Sequence, residues 1–171
     1  AQAILLCESD GSAEEVVTEI QRIHDIMRQS GAITISTSRN EAERLKLWAG
    51  RKAAFPAAGR VSPDYYCVAG NIPRKHLADV LRGIEPLSQE YGLRCMNVFH
   101  AGDGNLHPLI LYDANQPGEL EKTEEFGGKI LQMCIDAGGT ITGEHGVGME
   151  KINQMCSQFR TSELEIFHAV K

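Results

Sequence analysis

LRCMNVFHAGDGNLHPLILY, residues 93–112, is the stretch on which the fold turns. Leu93 to Phe99 reads as a β-strand, Gly102-Asp103-Gly104-Asn105 as a tight turn, and Leu106 to Tyr112 as the returning partner strand. The glycines supply the positive φ angles such a turn needs, and Asp103 fits an Asx-type turn former. With a four-residue loop over 102–105, Ala101 faces Leu106 and His100 faces His107. Residues opposed in this way carry Cβ atoms about 4.5–5.5 Å apart on one sheet face.

Upstream of this hairpin, Tyr65 to Val68 can be a strand, and Pro73 suits a first helical position. Leu77, Val80, Leu81, Ile84 and Leu87 then form an apolar helical stripe that Gly92 ends. Downstream, Phe126, Ile130, Met133 and Ala137 mark a helix from about Gly118, closed by Gly138-Gly139, and Thr140 to Thr142 is a short last strand. The order β-α-β-β-α-β is that of the ferredoxin-like split βαβ arrangement. The expected fold class is therefore α+β, a sandwich with helices on one face of a mainly antiparallel sheet.

The first third predicts an extra βαβ unit. Ile4 to Cys7 reads as a buried strand, and Ser12-x-x-Glu15 is a capping box. Val16, Ile20, Ile23 and Met27 recur at helical spacing up to Gly31, and Ile33 and Ile35 alternate with polar residues as in a strand. A further helix is expected from about Asn40 through Trp48 towards Phe55, where Pro56 interrupts it. A helical tail covers roughly residues 163–171.

The chain has 171 residues, 42% apolar and 23% charged, an ordinary balance for one globular domain. A net charge of -6 gives no basic field for nucleic acid. No apolar stretch approaches the roughly 20 residues that cross a bilayer, and the start lacks the pattern of a signal peptide. The five cysteines are odd in number and form no CxxC pair, so they read as small core residues in a reducing compartment.

Two motifs carry chemistry. Opposed across a glycine turn, His100 and His107 can reach one metal ion; spacing alone fits a hydrogen-bonded pair as well. Gly143-Glu144-His145-Gly146-Val147-Gly148 is poor core and poor helix, and its glycines let backbone approach a ligand closely. Neighbours on an extended chain point to opposite sides, so Glu144 can complete a His-His-Glu set while His145 faces a different partner. Two imidazoles and a carboxylate leave open positions, as in catalytic metal sites.

FHAGDGNLHP followed by GGTITGEHGVGMEK resembles the C-terminal domain of the FAD-linked oxidase family, which includes glycolate oxidase flavoprotein subunits, D-lactate dehydrogenases and D-2-hydroxyglutarate dehydrogenases. LWAGRKAAFPAAGRVSPDYY and NIPRKHL look most like the glycolate oxidase branch. The resemblance implies that residues 1–171 are the substrate and metal half of a flavoprotein whose flavin-binding domain lies outside this stretch. By the same resemblance His100, His107 and Glu144 are ligands of zinc or manganese, His145 is the general base, and Arg51 grips the substrate carboxylate. It also implies FAD as hydride acceptor, a small 2-hydroxy acid as substrate, and other oxidase subunits as partners. The implied location is the cytoplasm, with any membrane attachment peripheral and made through partner subunits.

Cys67 and Leu109 stand where the hydroxyglutarate branch carries lysine and asparagine, which favours glycolate or lactate over a dicarboxylate; Ala69 stands where many members carry aspartate. By itself the chain is expected to be inactive. The rival expectation is a ferredoxin-like metal-binding or regulatory module with no flavin partner, and a more distant one is a metallohydrolase on the same three ligands. Lys151 is a cationic neighbour of the second motif, a placement that solvation explains as well.

Overall fold

Tyr66 and Cys95 both pair with Ile110, and that double pairing sets the sheet. In a computed structural model describing residues 3–171, β1 (Asp64–Cys67) and β3 (Cys95–Asn97) flank β5 (Pro108–Tyr112), each antiparallel to it. The flanking strands are therefore parallel to each other. They are joined by a 3₁₀ turn (Arg74–His76) and helix α4 (Leu77–Tyr91), the split βαβ connection the sequence predicts. Helix α5 (Glu119–Asp136) follows β5.

The fourth strand expected at 140–142 is reduced to a single bridge, in which Asn71 and Thr140 exchange backbone hydrogen bonds of 3.0 and 2.8 Å. Asn71 belongs to β2 (Gly70–Asn71), which pairs with β4 (Asn105–Leu106) in a second, two-stranded sheet. The architecture is α+β.

Side chains alternate across β5. Ile110 joins Val68, Ile84, Phe126, Ile130 and Ile141 in the core beneath α4 and α5. Leu109 and Leu111 face the other way, against Ala58, with Phe55, Met96 and Val98 packed around them. Both faces of β5 are thus covered, which is why its sequence is continuously apolar rather than alternating. Phe126 is fully buried and stacks on Tyr91 at 5.4 Å with ring planes 2° apart. Phe126→Ala is expected to lower the unfolding free energy by about 3–5 kcal/mol, measured by urea unfolding.

The hairpin register differs from the one expected. His100 pairs with Asn105, not His107, through hydrogen bonds of 3.0 and 3.3 Å, and Val98 donates to the His107 carbonyl at 3.3 Å. The loop is therefore residues 101–104, two residues out of the expected register. Its cause is Gly104, which adopts φ +70 and lies so close to Ile72 that a Cβ would stand 2.0 Å from that carbonyl oxygen. A slip of two residues keeps every side chain on its face. His100 and His107 become diagonal neighbours on the face that also carries Leu109 and Leu111.

The chain divides into two compact units, one ending at Ala54 and one from Phe55 to Lys171. In the first, α1 (Ala13–Gln29) opens with the expected capping box, Ser12 N–H donating to Glu15 at 3.0 Å and Glu15 N–H to Ser12 at 3.4 Å. Helix α2 (Glu41–Lys52) is capped by Asn40. The strands expected at 4–7 and 33–36 are not formed, so no extra βαβ unit exists among the described residues. Ile4 is 89% exposed and Ile33 fully so: alternation makes a strand only where another edge takes up its backbone hydrogen bonds.

Pro56 falls inside a separate short helix, α3 (Ala54–Ala58), in the first turn where its missing N–H costs nothing. The tail is longer than expected, with α6 (Ile152–Gln158) preceding α7 (Thr161–Val170).

Candidate metal centre

Gly143 explains how a loop 38 residues further along the chain meets Asn105 on the hairpin: a Cβ on it would lie 2.1 Å from Asn105 Oδ1. Only glycine lets this backbone come so close. The approach delivers Glu144 to His107, whose Nε2 lies 2.9 Å from Glu144 Oε1. His107 sits between β4 and β5 and is 2% exposed. Burial pulls its basicity below the ordinary imidazole range, His145 and His100 add to that, and Glu144 pulls the other way. The neutral imidazole is the form that ligates a divalent cation. Its buried Nδ1 has no hydrogen-bond partner.

His100 is exposed and meets His107 edge-on, with centroids 5.6 Å apart and planes at 87°. One donor atom each from His100, His107 and Glu144 lie within 4.8 Å of one another. Two neutral nitrogens and one anionic oxygen at that spacing fit a borderline or hard divalent cation such as zinc or manganese.

His145 departs from expectation. It does not turn away from Glu144 but folds back, its Nε2 3.5 Å from the same Oε1 and its ring stacked on His107 at 4.8 Å and 12°. The alternation argument needs an extended backbone, and residues 143–145 form a bend that runs into Gly146 at φ +80. His100, His107, Glu144 and His145 thus form one cluster. Arg51 lies in the last turn of α2, in the first unit.

Beside the cluster is a cleft of about 340 Å³ lined by Cys67, His145, Val147, Met149 and Lys151, among others. Lys151 is not solvated as its sequence context suggests. It is 4% exposed and donates from Nζ to the Ala69 carbonyl at 2.7 Å, tying the glycine-rich loop to the chain between β1 and β2. Burial lowers its basicity.

Sequence reading also misses Asn105, and it singles out Cys67 only through the family resemblance, as a substrate-side position and not as a neighbour of His107. Asn105 is 8% exposed with a buried Oδ1 that has no partner. Nothing in a lone lysine, cysteine or turn asparagine marks these roles. Only the register of β1 on β5 and the path of the loop bring them to the site.

Two expected results follow from these contacts. Gly143→Ala forces Asn105 or the loop to move and should cost about 1–3 kcal/mol of stability, seen in thermal melts, with weaker metal retention. The cysteines should split by reactivity. Burial pushes the thiols of Cys95 and Cys134 up to about 12 and that of Cys67 up to about 11, whereas Cys7 and Cys156 are exposed. A thiol reagent at neutral pH should modify Cys7 and Cys156 fast, Cys67 at the cleft slowly, and Cys95 and Cys134 only on unfolding, because the thiolate is the reactive form.

A family model described as "FAD linked oxidases, C-terminal domain" matches residues 1–171. Over the whole chain 60% of residues are identical to "Glycolate oxidase subunit GlcD" of Escherichia coli (strain K12), of which the chain covers 34%. It is 32% identical over its full length to the protein of the same name from Bacillus subtilis (strain 168), covering 36% of it. It is 30% identical to "D-lactate dehydrogenase" of Anaerostipes hadrus, with 99% of this chain and 36% of that protein aligned. The chain therefore spans about a third of the length of these relatives. No helix among the described residues is long and apolar enough to cross a membrane. On the match along its entire length, the chain belongs to the FAD linked oxidases, as their C-terminal domain.

Proposed function

We propose that this chain is the substrate and metal half of a flavin-dependent 2-hydroxy-acid dehydrogenase that converts glycolate or D-lactate to the 2-oxo acid. The observation that carries the reading is the convergence of His100, His107, Glu144 and His145 beside a cleft, in a chain related throughout to flavin-linked oxidases. His100, His107 and Glu144 would hold the cation. The cation would supply Lewis acidity at the substrate 2-hydroxyl, and the flavin would supply a hydride acceptor.

His145, half-exposed at the cleft, takes the hydroxyl proton at Nε2 as general base. Glu144 Oε1, 3.5 Å away, favours the imidazolium that results. Arg51 binds the substrate carboxylate bidentately. Cys67 and Leu109 offer no charged or amide partner to a second carboxylate, in keeping with a monocarboxylate substrate.

The flavin-binding domain belongs to the same parent chain, as the relatives' greater length suggests. Further oxidase subunits complete the assembly in the cytoplasm, and any membrane attachment is peripheral through them.

The test is anaerobic mixing of the intact flavoprotein with glycolate, D-lactate or D-2-hydroxyglutarate while the flavin absorbance is followed. Bleaching by glycolate or D-lactate, lost on chelation and restored by manganese or zinc, is expected. Preference for the dicarboxylate, or bleaching that ignores metal removal, contradicts the reading.

A further inference from the structure

Cys67 pairs with Leu109 across β1 and β5, so its side chain stands on the sheet face that also carries His107, two residues before Leu109. His145 covers His107 from the loop side. One donor atom each from Cys67, His107 and His145 lie within 4.8 Å of one another. We propose that these three residues form a second metal site, selective for thiophilic divalent cations such as zinc or cadmium, which shares His107 with the His100–His107–Glu144 set and cannot be filled together with it. The proposal rests on the reading of His107 as a metal ligand and adds a regulation of that centre.

The two donor sets differ in chemistry, not in place. Two nitrogens and a carboxylate oxygen suit manganese as well as zinc, whereas sulfur with two nitrogens discriminates for softer ions, with zinc–sulfur bonds of about 2.3 Å and zinc–nitrogen bonds of about 2.0–2.1 Å. Binding at the sulfur set turns the Cys67 thiol into a bound thiolate and releases one proton to solvent. Burial and the nearby carboxylates of Glu150 and Glu144 oppose that ionisation, the Lys151 ammonium favours it, and the bond to the cation drives it.

His107 has one ring and cannot serve both sets in one geometry. A thiophilic occupant also takes His145, the residue that would accept the substrate proton. Excess zinc or cadmium is therefore inhibitory, and manganese competes with it.

Cadmium titration of the metal-stripped intact protein tests this, because a cadmium–thiolate bond adds an ultraviolet charge-transfer band independent of turnover. One equivalent of band is expected in the wild type and its loss in both Cys67→Ser and Cys67→Ala, with manganese affinity kept in each. Glu144→Gln should do the reverse, weakening manganese and keeping the cadmium band. A full band in both Cys67 variants overturns the proposal. A Cys67-dependent band alongside unchanged manganese binding in Glu144→Gln supports the sulfur site and removes the His-His-Glu assignment instead.

Discussion

His107→Ala should strip the intact protein of its divalent cation and lower substrate-driven flavin reduction by roughly a thousandfold. The size follows from the several kcal/mol of charge stabilisation a Lewis acid supplies, at about 1.4 kcal/mol per tenfold in rate. His107 is the member of the cluster that everything else touches: Glu144 at 2.9 Å, His145 stacked at 4.8 Å, His100 edge-on at 5.6 Å. It is also the only one of the four held inside the protein, so its loss removes the fixed point of the site. Metal analysis beside circular dichroism checks the result. A folded variant with wild-type metal content is the contrary outcome.

His145→Ala is the second large effect, and it should look different. A positioned proton acceptor contributes about 10²–10⁴-fold, so kcat should fall by that amount while manganese stays bound. Glu144 meets His107 directly at 2.9 Å, a contact that His145 does not mediate. Because His145 is half-exposed at the cleft, added imidazole can enter the space left and should restore part of the rate. Loss of metal together with rate would instead make His145 a ligand of the resting site.

The contrast between these variants shows what a sequence can and cannot carry. Residue types with a fixed spacing were legible. Gly-rich turns around His100 and His107 and around Glu144 and His145 point to a site, and the structure brings all four together. The helices α1, α4 and α5 follow their apolar stripes, because a period of 3.6 is a property of the segment itself.

What depends on a partner was less legible. Ile33 and Ile35 alternate like a strand, yet alternation says nothing about whether an edge is available, and Ile33 stands in solvent. The hairpin register could not be read because Gly102 and Gly104 both suit a turn. Contact between Gly104 and Ile72 decides between them, and that contact spans 32 residues of chain. The histidines stay on one face because a two-residue slip preserves sheet faces.

Lys151 and Cys67 illustrate the remaining gap. A lysine after a glycine-rich loop is ordinarily solvated, and a lone cysteine is ordinarily core. The fold buries the first against Ala69 O and aligns the second with His107 through the β1–β5 register. Neither placement has a local signature.

Pulsed electron paramagnetic resonance of manganese bound to the intact protein addresses the shared cation most directly. Nitrogen couplings from the two imidazoles of His100 and His107 are predicted, falling to one in His100→Ala, with the carboxylate of Glu144 needed for full affinity. Bound manganese with no imidazole nitrogen in its spectrum would contradict the account, whatever the activity of the preparation.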